Sequence, residues 1–134
     1  MSKINDYAKF VDSTTSRESK DFLAFIGSTS KLEAQEEWIN IPRVLTSAIG
    51  MLAESGEFTE VLKKMIFQGK PLNEEQRFHM KRELGDILWY WIQGCMALGF
   101  TPDEVMDENI KKLEARYPNG FEVARSETRE VGDI

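Results

Sequence analysis

Between Pro42 and Gly120 the chain is divided by helix-starting and helix-ending residues into three long runs with helical apolar spacing. Pro42 suits a first helical turn, and Val44, Leu45, Ile49, Leu52, Phe58, Val61, Leu62 and Met65 then recur at helical intervals. This pattern predicts a helix reaching about Phe67, closed by Gly69-Lys70-Pro71. Asn73 with Gln76 three residues later reads as an N-cap and capping box for a second helix, which runs to about Leu98 and stops at Gly99. Thr101, Pro102 and Glu104 supply cap, first-turn proline and capping-box acid for a third, ending near Arg116 before Pro118-Asn119-Gly120. No segment alternates apolar and polar residues as a strand would. The expected fold class is therefore all-α, a helical bundle with strand content near zero.

The flanks are less regular. Ile4, Tyr7, Ala8 and Val11 predict a short first helix, interrupted by Ser13-Thr14-Thr15-Ser16. A second short helical piece is expected over Asp21 to Ile26, broken by Gly27 to Lys31, with no assignment from there to Asn40. Beyond Phe121 the tail is mostly polar, and Val131-Gly132-Asp133-Ile134 is expected to fray or to dock on a partner subunit.

A length of 134 residues suits one domain, 1–134, completed by self-association. With 41% hydrophobic and 30% charged residues the chain should fold, and a net charge of −6 argues against a nucleic-acid partner. The single cysteine, Cys95, lies in an apolar run and is expected to be a buried thiol in a reducing compartment. No run approaches the roughly 20 apolar residues of a membrane span, and none of the N-terminal residues reads as a signal peptide. A cytoplasmic protein with no membrane partner is expected.

The chemistry is concentrated in two acidic pairs. Glu54 and Glu57 lie in the first long helix, Glu83 and Asp86 in the second, each pair at i, i+3. At about 100° per residue that spacing puts both carboxylates of a pair on one face, within reach of a common ion. Like charges one turn apart in otherwise apolar helices repel and bury badly, so something cationic should neutralise them. Four oxygen donors without a cysteine or histidine cluster favour Mg²⁺ or Mn²⁺ over zinc or copper. Gly56 and Gly85, one inside each pair, would permit close approach of a helix or ligand. Glu60 either supports the first pair or forms an ordinary surface ion pair with Lys64.

On the third helix, Asn109, Lys112 and Arg116 form a polar and cationic stripe able to hold phosphates, lysine as a point charge and arginine as a bidentate fork. His79 precedes Glu83 by four residues and Asp86 by seven, so it should share their face and could reach a phosphate or water. Trp89, Tyr90 and Trp91 suit core and interface. Phe10 and Trp38 are candidates for stacking on a nucleobase.

Three segments, Leu52-Ala53-Glu54-Ser55-Gly56-Glu57-Phe58, Glu83-Leu84-Gly85-Asp86-Ile87-Leu88-Trp89-Tyr90 and Asn109-Ile110-Lys111-Lys112-Leu113-Glu114-Ala115-Arg116-Tyr117, carry a family resemblance. From about Val44 to Phe121 the chain resembles the MazG-like all-α nucleoside triphosphate pyrophosphohydrolases, especially the short single-domain forms of bacteriophages. The resemblance implies Mg²⁺ ligation and catalysis through Glu54, Glu57, Glu83 and Asp86. It also implies phosphate contacts from Lys112 and Arg116 with support from Asn109, and a homodimer or homotetramer. Some relatives carry lysine where this chain has His79. Residues 1–43 would form a variable N-terminal helical segment lining the base pocket, 44–121 the metal- and phosphate-binding core, and 122–134 a polar tail.

Competing readings are a sister activity on the same scaffold, on deoxyuridine or deoxycytidine triphosphate or on phosphoribosyl-ATP, and a non-enzymatic helical interaction module with exposed acidic pairs. A di-iron carboxylate bundle would require Glu-x-x-His motifs on two helices, whereas the only histidine, His79, has Gln76 three residues before it. The longer glycine and glutamate signature of a Nudix hydrolase is missing from the sequence.

Overall fold

The computed structural model describes residues 3–128 and is helical throughout, with six helices among the described residues. The chain divides into two compact units, Met1–Ile41 and Pro42–Ile134. The only β feature among the described residues is an isolated bridge between Pro118 and Gly120. The all-α expectation holds.

In the first unit α1 spans Lys3–Thr14 and α2 spans Phe22–Glu33. The last turn of α1 is held by hydroxyls that bond back to the helix, Ser13 Oγ donating to Phe10 O at 2.8 Å and Thr14 Oγ1 to the same carbonyl at 3.0 Å. The expected break at Gly27 does not occur, because α2 runs straight through it. A helical glycine costs only about 1 kcal/mol relative to alanine. Against that cost, Asp21 caps the start by accepting from Ala24 N at 3.0 Å, and Thr29 Oγ1 donates to Phe25 O at 3.1 Å and to Ile26 O at 3.0 Å. Glu33 then accepts from Ile41 N at 2.6 Å, a bond that closes the end of this unit on itself.

The second unit holds α3 (Ile41–Gln68), α4 (Glu74–Ala97), α5 (Pro102–Arg116) and the short α6 (Val123–Glu127). The three long helices lie where the punctuation places them. Asn73 caps α4 by accepting from Gln76 N at 2.9 Å, but the capping box expected there lacks its returning bond from the Gln76 side chain. The box at α5 is complete, with Glu104 N donating to Thr101 Oγ1 at 3.2 Å and Thr101 N to Glu104 Oε2 at 2.7 Å. Immediately before it, Gly99 takes φ 73°, Phe100 N reaches Cys95 O at 3.0 Å and Gly99 N reaches Met96 O at 3.3 Å. These two bonds close α4 in a Schellman turn, so four residues end one helix, reverse the chain and start the next. Helix α6 was not expected from the polar tail, and Val131 to Ile134 lie outside the described residues.

Antiparallel pairing of α3 and α4 follows from contacts of steady register. Ser47 Oγ donates to Tyr90 O at 2.8 Å, Gly50 lies against the Tyr90 ring, and an added Cβ at Gly94 would meet Ser47 Oγ at 2.6 Å. The close approach of a helix falls on Gly50 and Gly94 and not on Gly56 and Gly85, since a Cβ at either of the latter would meet nothing within 4 Å. Gly50→Ala should destabilise the fold by about 1–3 kcal/mol, because the Tyr90 ring must move. Gly56→Ala should stabilise it by up to about 1 kcal/mol through helix propensity alone. Urea unfolding followed by circular dichroism tests the opposite signs.

Little of this unit is sealed from water. Val61, Cys95, Ala97, Ser47 and Glu83 are buried, and Cys95 is the interior thiol expected. Tyr90 and Trp91 are half-buried, whereas Trp89 is 54% exposed and only packs edge-on against the Tyr90 ring.

Candidate metal and phosphate site

The register that sets Ser47 against Tyr90 carries Glu54 opposite Glu83 and Asp86, two helical turns farther along. One oxygen each from Glu54, Glu83 and Asp86 lie within 4.8 Å of one another, and so do donor atoms of Glu57, His79 and Glu83. Both acidic pairs therefore face each other across the α3–α4 interface, with Glu83 common to the two groups. Glu83 is 5% exposed, which is unusual for a glutamate and excludes a merely solvated acidic face at this position. Its Oε1 lies 2.9 Å from His79 Nε2, the i, i+4 contact that shared helix facing predicts.

Glu54 is half-buried, and its carboxyl is raised above the ordinary glutamate range. Burial is the largest cause, followed by the charge of Glu57, a hydrogen bond with the Glu83 carboxyl, and the charges of Asp86 and Glu83. Every nearby acid thus pushes in the same direction. The donor set is all oxygen, is carried on two packed helices and gathers more negative charge than the local protein neutralises, which fits a hard divalent cation.

Glu60 belongs to a different environment. Lys63, first through a hydrogen bond, and Lys64 hold its carboxyl below the ordinary range, with Lys64 Nζ at 3.5 Å. It forms the ion pair with Lys64 that the spacing allows, and a second with Lys63. A cavity of about 530 Å³ opens beside it, lined by Glu57, Glu60, Val61, Lys64, Lys70, Gln76 and His79.

The α5 stripe is present as a helical surface. Asn109 and Lys112 are exposed, and Arg116 is half-buried in the last turn, its guanidinium carbon 5.9 Å from the centroid of the Tyr117 ring. Helix α5 packs on α4. Phe10 and Trp38 lie in the first unit, 60% and 53% exposed. The features that sequence reasoning missed are Gly50 and Gly94, which set the helix spacing. Periodicity marks their faces as inward but cannot say which glycine a partner side chain occupies.

A family model described as the MazG nucleotide pyrophosphohydrolase domain matches residues 45–121, a span that contains all four carboxylates, His79 and the α5 stripe. The Gene 37 protein of Mycobacterium phage L5 is 30% identical to this chain over 73 residues, 54% of the chain. That alignment spans 64% of the phage protein's length. No solved structure matches.

Proposed function

Because the chain belongs to the MazG nucleotide pyrophosphohydrolase family, we propose that it hydrolyses a nucleoside or deoxynucleoside triphosphate to the monophosphate and pyrophosphate. In this reading Glu54, Glu57, Glu83 and Asp86 hold Mg²⁺, with Mn²⁺ as a substitute. The observation that carries it is the convergence of two i, i+3 acidic pairs on the shared, buried Glu83.

Bound there, the cation supplies charge neutralisation of phosphate oxygens and a lowered pKa for the attacking water. The reaction is attack of water on the α-phosphorus, which breaks the bridging bond to the β-phosphate and releases intact pyrophosphate. Lys112 and Arg116 are assigned to charge on that departing group, with Asn109 supporting them. The reading requires no protein nucleophile. His79 and Cys95 are the only residues of their types and stand 16 positions apart on α4, too far for a catalytic pair.

Pyrophosphate release measured over all canonical ribo- and deoxynucleoside triphosphates, with Mg²⁺ and with chelator, tests the proposal. The same panel separates a dedicated deoxyuridine or deoxycytidine triphosphate pyrophosphatase, and phosphoribosyl-ATP can be added to it. Hydrolysis in ¹⁸O-labelled water should place the label in the monophosphate. Label in pyrophosphate would mean attack at another phosphorus.

Arg116→Lys keeps the charge but removes the bidentate fork, so it should lower kcat/KM about tenfold or more and to a similar extent for every base. A loss confined to one base would move Arg116 out of the phosphate role. We also assign the exposed apolar side chains of the second unit, among them Leu52, Phe78, Leu84 and Leu88, to contacts in a homodimer or homotetramer. Sedimentation of the purified protein tests that assembly. Among the described residues no helix is long and apolar enough to cross a membrane, and the proposed substrate pool is the cytoplasmic one.

A further inference from the structure

Beside the all-carboxylate position, the pairing of α3 and α4 assembles a second donor set of different chemistry. Glu57, His79 and Glu83 each place one ligand atom within 4.8 Å of the others, and one of the three donors is an imidazole nitrogen. We propose that these side chains form a nitrogen-containing metal position that shares Glu57 and Glu83 with the four-carboxylate set and selects Zn²⁺ or Mn²⁺ over Mg²⁺. The proposal rests on the reading of Glu54, Glu83 and Asp86 as a metal position and adds to it a second, softer one.

Three observations carry it. The buried Glu83 is a fixed point, and His79 Nε2 already lies 2.9 Å from its Oε1, so the ring is oriented toward the donor set. Glu57 reaches the same point from the other helix, through the register that also sets Gly50 against Tyr90. Finally, Glu57 and His79 both line the cavity of about 530 Å³, which leaves room on that side for water or ligand oxygens to complete a coordination shell.

The selectivity follows from the donor. Mg²⁺ favours oxygen ligands and gives up its waters reluctantly, whereas imidazole suits zinc and other transition ions. To act as a ligand Nε2 must present its lone pair to the ion, so any proton on it is released to solvent on loading. The rival role for His79 is a protonated side chain facing phosphate, in company with Lys64 and Lys70 along the same cavity. A ligand must be a nitrogen lone pair, and a phosphate contact needs only positive charge.

His79 is the sole histidine of the chain, so an untagged preparation gives one imidazole signal. Full-length protein titrated with Zn²⁺ should show a shift of the Nε2 resonance and loss of the ring's acid–base titration, while Mg²⁺ at the same occupancy leaves that titration in place. By calorimetry with metal alone, His79→Ala and His79→Lys should each weaken Zn²⁺ and Mn²⁺ binding about tenfold or more, with Mg²⁺ affinity close to that of the unaltered protein. An imidazole signal indifferent to Zn²⁺, or undiminished Zn²⁺ and Mn²⁺ binding by His79→Ala, overturns the proposal, as does full binding by His79→Lys. If the unaltered protein binds none of these ions, the metal reading of the whole site fails; if it binds Mg²⁺ while His79 stays indifferent, only the second position does.

Discussion

Glu83→Gln should lower magnesium-dependent pyrophosphate release by at least about a hundredfold, the upper end of what loss of a mere supporting partner of a metal ligand costs. Glu83 is the one carboxylate common to both donor groups and the most buried of the four. The glutamine keeps shape and hydrogen-bonding capacity, so the loss reports the missing charge rather than a hole in the α3–α4 interface. Circular dichroism should be unchanged. Glu60→Gln serves as the contrast, since that carboxylate is engaged by Lys63 and Lys64, and it should retain most of the rate. Turnover near the normal level for Glu83→Gln at saturating magnesium would remove Glu83 from the metal site and, with it, the common point of the geometry.

The extent to which the fold was legible follows from where its free energy is local. Caps and stops act within a few residues, so Asn73, Gly99, Thr101 and Pro102 mark their helices in the sequence as they do in the structure. Gly27 misled because a glycine is a weak signal in either direction, and the side-chain bonds of Asp21 and Thr29 decide against a break. Helix α6, five residues long, is below the length at which periodicity can be seen.

The site was legible for a related reason. Spacing of i, i+3 and i, i+4 reports which side chains share a face, so Glu54 with Glu57, and His79 with Glu83 and Asp86, could be read as groups. Which residue of one helix meets which of the other is a tertiary fact. That register depends on Gly50 receiving the Tyr90 ring and Gly94 receiving Ser47, contacts between residues far apart in the chain, as the Ser47–Tyr90 bond spans 43. The mixed donor set at Glu57, His79 and Glu83 exists only once that register is known.

Glu54→Gln should blunt the thermal response of the protein to magnesium and to pH together. Burial, then the charge of Glu57, then the Glu83 hydrogen bond raise the Glu54 carboxyl, so the folded protein holds that proton more tightly than the unfolded chain does. For an acid raised in this way, the contribution to stability is complete below the unfolded pKa and disappears as pH rises through the folded one. Once pH passes the folded pKa, the metal-free protein carries an ionised Glu54 that works against folding, and removing the charge should raise its Tm there. Magnesium should do the same for the unaltered protein by binding only the folded form, adding about 2.7 kcal/mol at a hundredfold excess over Kd. For a chain of this size that is a Tm rise on the order of 10 °C. Glu54→Gln should begin higher without metal above the folded Glu54 pKa, gain much less from magnesium, and lose the decline in metal-free Tm that sets in as pH rises above the ordinary glutamate range. A series of melts across that pH range, with and without Mg²⁺, measures all three. If the variant instead begins lower and keeps the full magnesium shift, Glu54 is a structural residue and the ion is bound elsewhere.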